Sequence, residues 1–146
     1  METKRDLHPD FQALLHHKEA ELIELFVSLR NYILTQYPDC NELLYHTHAL
    51  TAVYSVSEKL SDAFCMLPIY TNHMNLGFNK GTLLKDPSQL LSGTGKLIRH
   101  VAIEQISDCK KASVLALIKA AHELAIEDLS KPSKTKGKTI SKIKKS

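Results

Sequence analysis

The apolar residues of this chain recur at helical spacing near both ends and at extended spacing in the middle. Residues 18–37 carry leucine, isoleucine and phenylalanine at positions that predict one long amphipathic helix, which ends before Pro38. A shorter helix is expected before it, because Pro9 followed by an acidic residue suits a first helical turn. Ser107 is expected to cap a last helix. Its buried side would consist of Val114, Leu115, Leu117, Ile118, Ala121 and Leu124.

The middle of the chain is rich in β-branched and aromatic residues, which predicts a sheet. The expected strands are residues 50–56, 63–70, 73–79 and 97–103, with a hairpin turn at 58–61. Before these strands, Asn41 is expected to cap one short helical turn through Leu44. The order ααβββ(loop)βα predicts one α+β domain, with helices packed on a mostly antiparallel sheet.

Length and composition agree with a single globular domain. The chain has 146 residues, of which 43% are hydrophobic and 24% charged. No apolar run approaches the roughly 20 residues of a membrane-spanning helix, and the N-terminus has no apolar signal segment. The three cysteines have no Cys-x-x-Cys spacing, which indicates reduced thiols. We therefore expect a soluble, cytoplasmic protein with no membrane partner and no cofactor.

The charges are divided unevenly along the chain. Residues 131–146 contain seven lysines and no acid, whereas the rest carries 12 Lys and Arg against 16 Asp and Glu, a net charge of −4. A segment of this composition is expected not to fold, so the chain divides into a domain at 1–128 and a flexible basic tail at 129–146. The tail suits either a weak nucleic-acid tether or a solvated, solubilising end.

Four of the five glycines lie in residues 72–101, beside polar and cationic side chains. These glycines, Gly77, Gly81, Gly93 and Gly95, are expected to form turns, because glycine reaches backbone angles closed to other residues. The side chains expected to border a polar groove are His73, Asn75, Lys80, Lys96, Arg99 and His100. Such a groove would take a small anionic or carbonyl-bearing ligand. The alternative is a structural glycine turn between a short helix and a strand.

Several short motifs follow one another in this segment. They are Asn72-His73-x-Asn75-Leu76-Gly77-Phe78-x-Lys80-Gly81, Asp86-Pro87, Leu90-Leu91, Gly93-Thr94-Gly95-Lys96 and Arg99-His100-Val101. In these motifs the chain resembles the YdhG-like family, a bacterial domain of unknown function. The resemblance covers about residues 10–128 and implies a small α+β fold without an established reaction, although some relatives carry an iron-chaperone, frataxin-like label. The chain departs from the commoner pattern at residues 45–48, Tyr-His-Thr-His, where many relatives have a Trp-Gly-Met-Pro-like segment.

Other chemistries have less support in the residues. A Walker A loop would need Ser or Thr after Lys96, where this chain has Leu97. The histidines at 46, 48, 73 and 100 leave metal or iron handling open, but no full ligand set can be chosen from them. No paired carboxylates and no nucleophile with its base stand out, so an undetected enzyme is only an alternative. We expect a binding or adaptor module for a small ligand or a protein, and a half-exposed sheet edge is compatible with a homodimer.

Overall fold

Four helices lie on one face of a six-stranded sheet in the computed structural model, which describes residues 3–144. The helices are α1 (Pro9–Leu15), α2 (Ala20–Gln36), α3 (Ile106–Cys109) and α4 (Ala112–Asp128). The strands are β1 (Asn41–His46), β2 (Leu50–Ser55), β3 (Ala63–Ile69), β4 (Met74–Phe78), β5 (Arg99–Ile103) and β6 (Thr139–Ser141). Their order in the sheet is β5-β4-β3-β2-β1-β6, and every neighbouring pair is antiparallel except β1 and β6. The predicted α+β fold is confirmed.

The strands bury one face against the helices because alternate residues of a strand point to opposite sides. The main core therefore consists of alternate residues of each inner strand and of the apolar sides of α2 and α4. Its members include Leu25, Phe26, Leu29 and Ile33 of α2, Leu44, Tyr54, Leu67 and Leu76 of the sheet, and Leu117 and Ile118 of α4. A smaller cluster on the far face contains Leu43, Val53 and Ala63, partly covered by Tyr45, Met66 and Ile140.

The prediction of a helical turn from Asn41 to Leu44 is wrong, because these residues belong to β1. The apolar alternation of a strand is obscured here by Glu42, a charged residue at a position that faces the core. Glu42 is fully buried and its carboxylate accepts hydrogen bonds from Arg30 Nε at 2.8 Å and Arg30 Nη2 at 3.0 Å. The Tyr54 hydroxyl donates to it at 2.8 Å and the Thr139 hydroxyl at 3.0 Å. The paired charge makes burial of this position tolerable.

The last helical segment is broken where one continuous helix was expected. Ser107 lies inside the short helix α3, and residues 110 and 111 separate α3 from α4. The break lies at Lys111, whose ψ of 125° is extended and not helical. Asp108 closes the start of α3, because its Oδ2 accepts the backbone N–H groups of Glu104 at 2.9 Å and Gln105 at 3.1 Å. None of the helices in residues 3–144 combines the length and apolarity needed to cross a membrane.

Part of the basic tail belongs to the fold, although the sequence predicts a flexible segment there. Residues 139–141 form the strand β6, which pairs with β1. Gly137 makes this path feasible with a φ of 82°, and an added Cβ there would collide with the Pro38 carbonyl oxygen. The guanidinium of Arg5 then bridges both segments, donating to the Pro38 carbonyl at 2.9 Å and the Lys138 carbonyl at 3.2 Å. Backbone pairing thus compensates for the low apolar content of the tail. Residues 145 and 146 lie outside the described range.

Candidate functional site

The cations predicted to share one groove lie on two faces of the sheet. In the β4–β5 pair, Gly77 lies opposite His100 and Phe78 lies opposite Arg99. Phe78 belongs to the core between sheet and helices, so Arg99 is on the helical face. Asn75 and His100 occupy the alternate positions and therefore lie on the far face. Asn75 pairs with Ala102 within the sheet.

His73 and Lys80 lie at opposite ends of β4, roughly 20 Å apart along the extended chain. The His73 ring stacks on Tyr70 with the ring centres 4.5 Å apart. Lys80 Nζ forms an ion pair with Asp128 Oδ2, at the end of α4, at 2.7 Å. These contacts give both side chains structural partners. The predicted groove is therefore not assembled as one site.

The glycine-rich loop between β4 and β5 binds its own carbonyl groups. Arg99 Nη1 donates to the carbonyls of Gly95 and Ile98, and the Thr82 hydroxyl donates to the Lys96 carbonyl at 3.1 Å. Of the four glycines predicted to form turns, Gly93 has a φ of 133°, in the range that favours glycine, whereas Gly77 lies inside β4. Gly81 packs so closely on Arg99 that an added Cβ would overlap the Arg99 Cβ, and Gly77 lies beneath the side chain of Met66. Gly95 has neither restriction.

The metal and nucleophile hypotheses gain no support from the geometry. In the part of the chain that the structure describes, no three His, Cys, Asp or Glu side chains are placed to hold a metal ion. His46 ends β1, and two strands separate it from β4 and three from β5. Burial raises the pKa of the Cys40 thiol to about 12 and that of Cys65 well above its ordinary value. Such thiols remain protonated and are poor nucleophiles.

A large candidate site lies where the C-terminal segment crosses the turn between β2 and β3. One wall is formed by residues 56–62, and the other by residues 129–138, between α4 and β6. The cleft has a volume of about 620 Å³, within the roughly 300–1,000 Å³ typical of small-molecule sites. We name it the lysine cleft, because it is bordered by Lys59, Lys131, Lys134, Lys136 and Lys138.

A buried amide joins the two walls of the lysine cleft. Asn41 Nδ2 donates to the Ser57 carbonyl at 3.0 Å, and Asn41 Oδ1 accepts the Lys138 backbone N–H at 3.0 Å. Asn41 is only 2% exposed, so these bonds are shielded from water. A second link comes from the Ser133 hydroxyl, which donates to the Val56 carbonyl at 2.9 Å. The spacing of the walls is therefore set by specific contacts.

Hydrogen bonds within the turn hold the first wall. The Ser55 hydroxyl donates to the Lys59 carbonyl at 2.8 Å, and the Ser57 hydroxyl donates to Asp62 Oδ2 at 2.7 Å. These bonds fix the backbone that carries Lys59 opposite the lysines of the C-terminal segment. The turn is therefore a shaped wall of the cleft.

The lysine cleft concentrates positive charge that is not neutralised by neighbouring acids. Five lysines face two lining acids, Glu58 and Asp62, which gives a formal charge of +3. Within residues 3–144, none of the five ammonium groups takes part in an ion pair. Charges of one sign lining a concave surface attract counter-ions more strongly than the same charges on a flat surface. The arrangement suits a ligand with several negative charges.

Comparison with known proteins assigns no family to this chain. It matches no family model, and no curated protein or solved structure is significantly similar to it. The YdhG-like resemblance therefore remains a prediction from the motifs in residues 72–101. The function has to be inferred from the chemistry of the structure.

The lysine cleft could not be found by searching the sequence for a local motif. Its two walls are about 70 residues apart in the chain and meet through β1, which lies beside both β2 and β6. Two signals were nevertheless present in the tail. Gly137 marks a backbone turn, and Thr139-Ile140 is a β-branched pair that favours a strand.

Proposed function

We propose that this protein is a binding module, and that its ligand is a multiply charged, phosphate-bearing small molecule held in the lysine cleft. The observation that carries the proposal is the set of five unpaired lysines around walls joined by the buried Asn41 amide. An ammonium group binds phosphate as a point charge with three rotatable donors. Several ammonium groups around one cleft favour a ligand with several charges. The proposal moves the anion site away from residues 93–99.

The other lining residues favour recognition of phosphate groups alone. Hydroxyl groups are contributed by Ser57, Ser130, Ser133 and Thr135, and no aromatic residue is among those lining the cleft. Proteins that bind single-stranded nucleic acid usually stack its bases on aromatic side chains. We therefore propose a small phosphate ligand. Any nucleic-acid binding would be weak, independent of sequence and lost with added salt.

Two finer assignments belong to the same proposal. The order of the motifs in residues 72–101 supports membership of the YdhG-like family. The three free cysteines support a cytoplasmic location, because reducing compartments keep thiols unpaired.

The proposal is tested by calorimetric titration with tripolyphosphate, with inorganic phosphate as a ligand of lower charge. The wild type should bind tripolyphosphate more tightly than phosphate. Replacing Lys131, Lys134 and Lys136 together with glutamine should weaken tripolyphosphate binding roughly tenfold or more, because three of five charges are removed. Binding should also stabilise the fold, by about 2.7 kcal/mol when free ligand reaches 100 times its dissociation constant.

A second triple variant controls for the loss of charge. Lys85, Lys96 and Lys119 are exposed, lie outside the lysine cleft and form no ion pair among residues 3–144. Their replacement with glutamine changes the net charge equally and should leave the dissociation constant nearly unchanged. Equal weakening in both variants would mean that only net charge matters. If only the second variant bound tripolyphosphate more weakly, the binding site would lie in the loop around Lys96. An oligonucleotide that binds as tightly as tripolyphosphate would contradict the small-ligand assignment.

A further inference from the structure

The loop between β4 and β5 exposes a group of large aliphatic side chains. Leu83 is 59% exposed, Leu97 46% and Ile98 49%. Five large hydrophobic residues are exposed in the described range, and this loop supplies three of them. Single exposed apolar residues are common on protein surfaces, whereas several brought together indicate an interaction site. We name these three side chains the aliphatic loop surface.

Backbone contacts bring the two parts of the aliphatic loop surface together. The Thr82 N–H donates to the Leu97 carbonyl at 3.0 Å, so the 3₁₀ turn Gly81–Leu83 lies directly beside residues 97–98. This approach requires glycine at position 81, where a Cβ would overlap the Cβ of Arg99. The exposed side chains of Leu83, Leu97 and Ile98 therefore flank a single backbone contact.

The remaining features of the glycine motif hold this loop in one shape. Arg99 binds the carbonyls of Gly95 and Ile98, and Gly93 turns the chain with a φ that other residues rarely adopt. Asp86 closes the preceding turn by accepting the N–H groups of Leu90 at 2.9 Å and Leu91 at 2.8 Å. Nothing in these contacts needs exposed aliphatic side chains. The glycine motif explains the shape of the loop. It does not explain why the exposed residues of the loop are aliphatic.

We propose that the aliphatic loop surface docks a protein segment that carries aliphatic residues beside carboxylates. Charge complementarity selects this partner, since residues 81–99 contain Lys85, Lys96 and Arg99 against the single acid Asp86. Lys85 and Lys96 are exposed and form no ion pair in the structure described. Residues 79–98 contain no aromatic residue, whereas loops that enter a bilayer interface are typically anchored by Trp or Tyr. A preformed surface of this kind binds with little loss of conformational freedom.

Selection from a random-peptide display library tests this proposal, because it reveals the chemistry of the partner. The full chain is the target, and the Leu97→Ser/Ile98→Ser variant is used to discard peptides that bind elsewhere. The retained peptides should be enriched in Leu, Ile or Val beside Asp or Glu. Each synthetic peptide should bind the double variant roughly tenfold or more weakly than the wild type, since two apolar contacts are lost.

Ile126→Ser is the matched control, because Ile126 is 41% exposed, lies in α4 and does not line the lysine cleft. It should leave peptide affinity unchanged, and circular dichroism should show all variants folded. Basic or neutral peptides, equal binding to the double variant, or no enrichment would overturn the proposal. Binding to anionic phosphatidylglycerol vesicles that depends on Leu97 and Ile98 would overturn it in favour of a membrane. Concentration-dependent self-association with the same dependence would overturn it in favour of a second copy of this chain.

Discussion

Replacing Arg30 with methionine should destabilise the fold more than any surface substitution, because it removes the guanidinium group that is paired with a buried carboxylate. Arg30 is 4% exposed and Glu42 is fully buried, and they share two hydrogen bonds of 2.8 and 3.0 Å. Burial lowers the pKa of Arg30, but the hydrogen bond and charge of Glu42 outweigh it and raise the pKa overall. In the variant the carboxylate would keep the hydrogen bonds from the hydroxyls of Tyr54 and Thr139, which carry no charge.

The expected loss in the free energy of unfolding is about 3–5 kcal/mol, the usual cost of breaking a buried pair from one side. In a domain of this size that corresponds to roughly 10–15 °C in melting temperature. Urea titration followed by far-ultraviolet circular dichroism measures the loss directly. Methionine keeps the unbranched stem of arginine, so the change tests the charge and its hydrogen bonds more than the packing.

A double-mutant cycle with Glu42→Leu separates the ion pair from other effects of the substitution. The double variant Arg30→Met/Glu42→Leu should lose clearly less than the sum of the two single variants, because it leaves neither charge unpaired. Additive losses, or a loss below about 1 kcal/mol in Arg30→Met, would refute the reasoning.

Three further predictions concern the glycine loop, the buried thiols and one histidine. Gly93→Ala should lower the free energy of unfolding by about 1–3 kcal/mol because of its φ of 133°. Gly95→Ala should cost under about 0.5 kcal/mol, because its added Cβ would make only an ordinary van der Waals contact with the Ile98 carbonyl oxygen. Equal losses in urea titrations would contradict this. Cys40 and Cys65, whose pKa values are raised by burial, should be alkylated no faster than the protein unfolds; rapid labelling of the native protein, seen by mass spectrometry, would be the opposite result. Burial lowers the pKa of His122 below its ordinary value of 6.5, so the unfolded chain binds a proton at this histidine more readily than the folded protein does. The free energy of unfolding should therefore fall as the pH drops from about 6.5 through the lower pKa of the folded state. His122→Gln should flatten this part of the stability profile, and an unchanged slope would count against the assignment.

The strands β2 to β5 were predictable because their segments are rich in β-branched and aromatic residues, which favour strands. β1 was not predicted, because a glutamate at position 42 indicates an exposed residue. In the structure the Glu42 carboxylate is buried, and its pairing with Arg30 makes this burial feasible. β6 was hidden for a different reason, since the lysines of the tail suggested a segment that cannot fold. Its stability comes from backbone pairing with β1 and from the bonds of Asn41 and Glu42, none of which composition reveals.

The candidate site was less predictable than the fold, because residues that are neighbours in the sequence need not border the same surface. Arg99 and His100 are the first two residues of β5, and consecutive residues of a strand point to opposite faces, so the two side chains do not border one groove. Among the glycines of the same segment, Gly93 has a backbone angle that favours glycine. The lysine cleft depends instead on the contact between two segments that are far apart in the sequence, and only the tertiary structure shows this contact.

The most direct test of the central claim is where a phosphate ligand binds, and a two-dimensional amide NMR titration of the full chain with tripolyphosphate measures it. Saturable shifts should appear in both walls of the lysine cleft, residues 56–62 and 129–138, and in the side-chain amide of Asn41, which joins them. Residues 93–99 should show little change. Shifts confined to residues 93–99, or shifts that spread over every exposed lysine without saturating, would contradict the account.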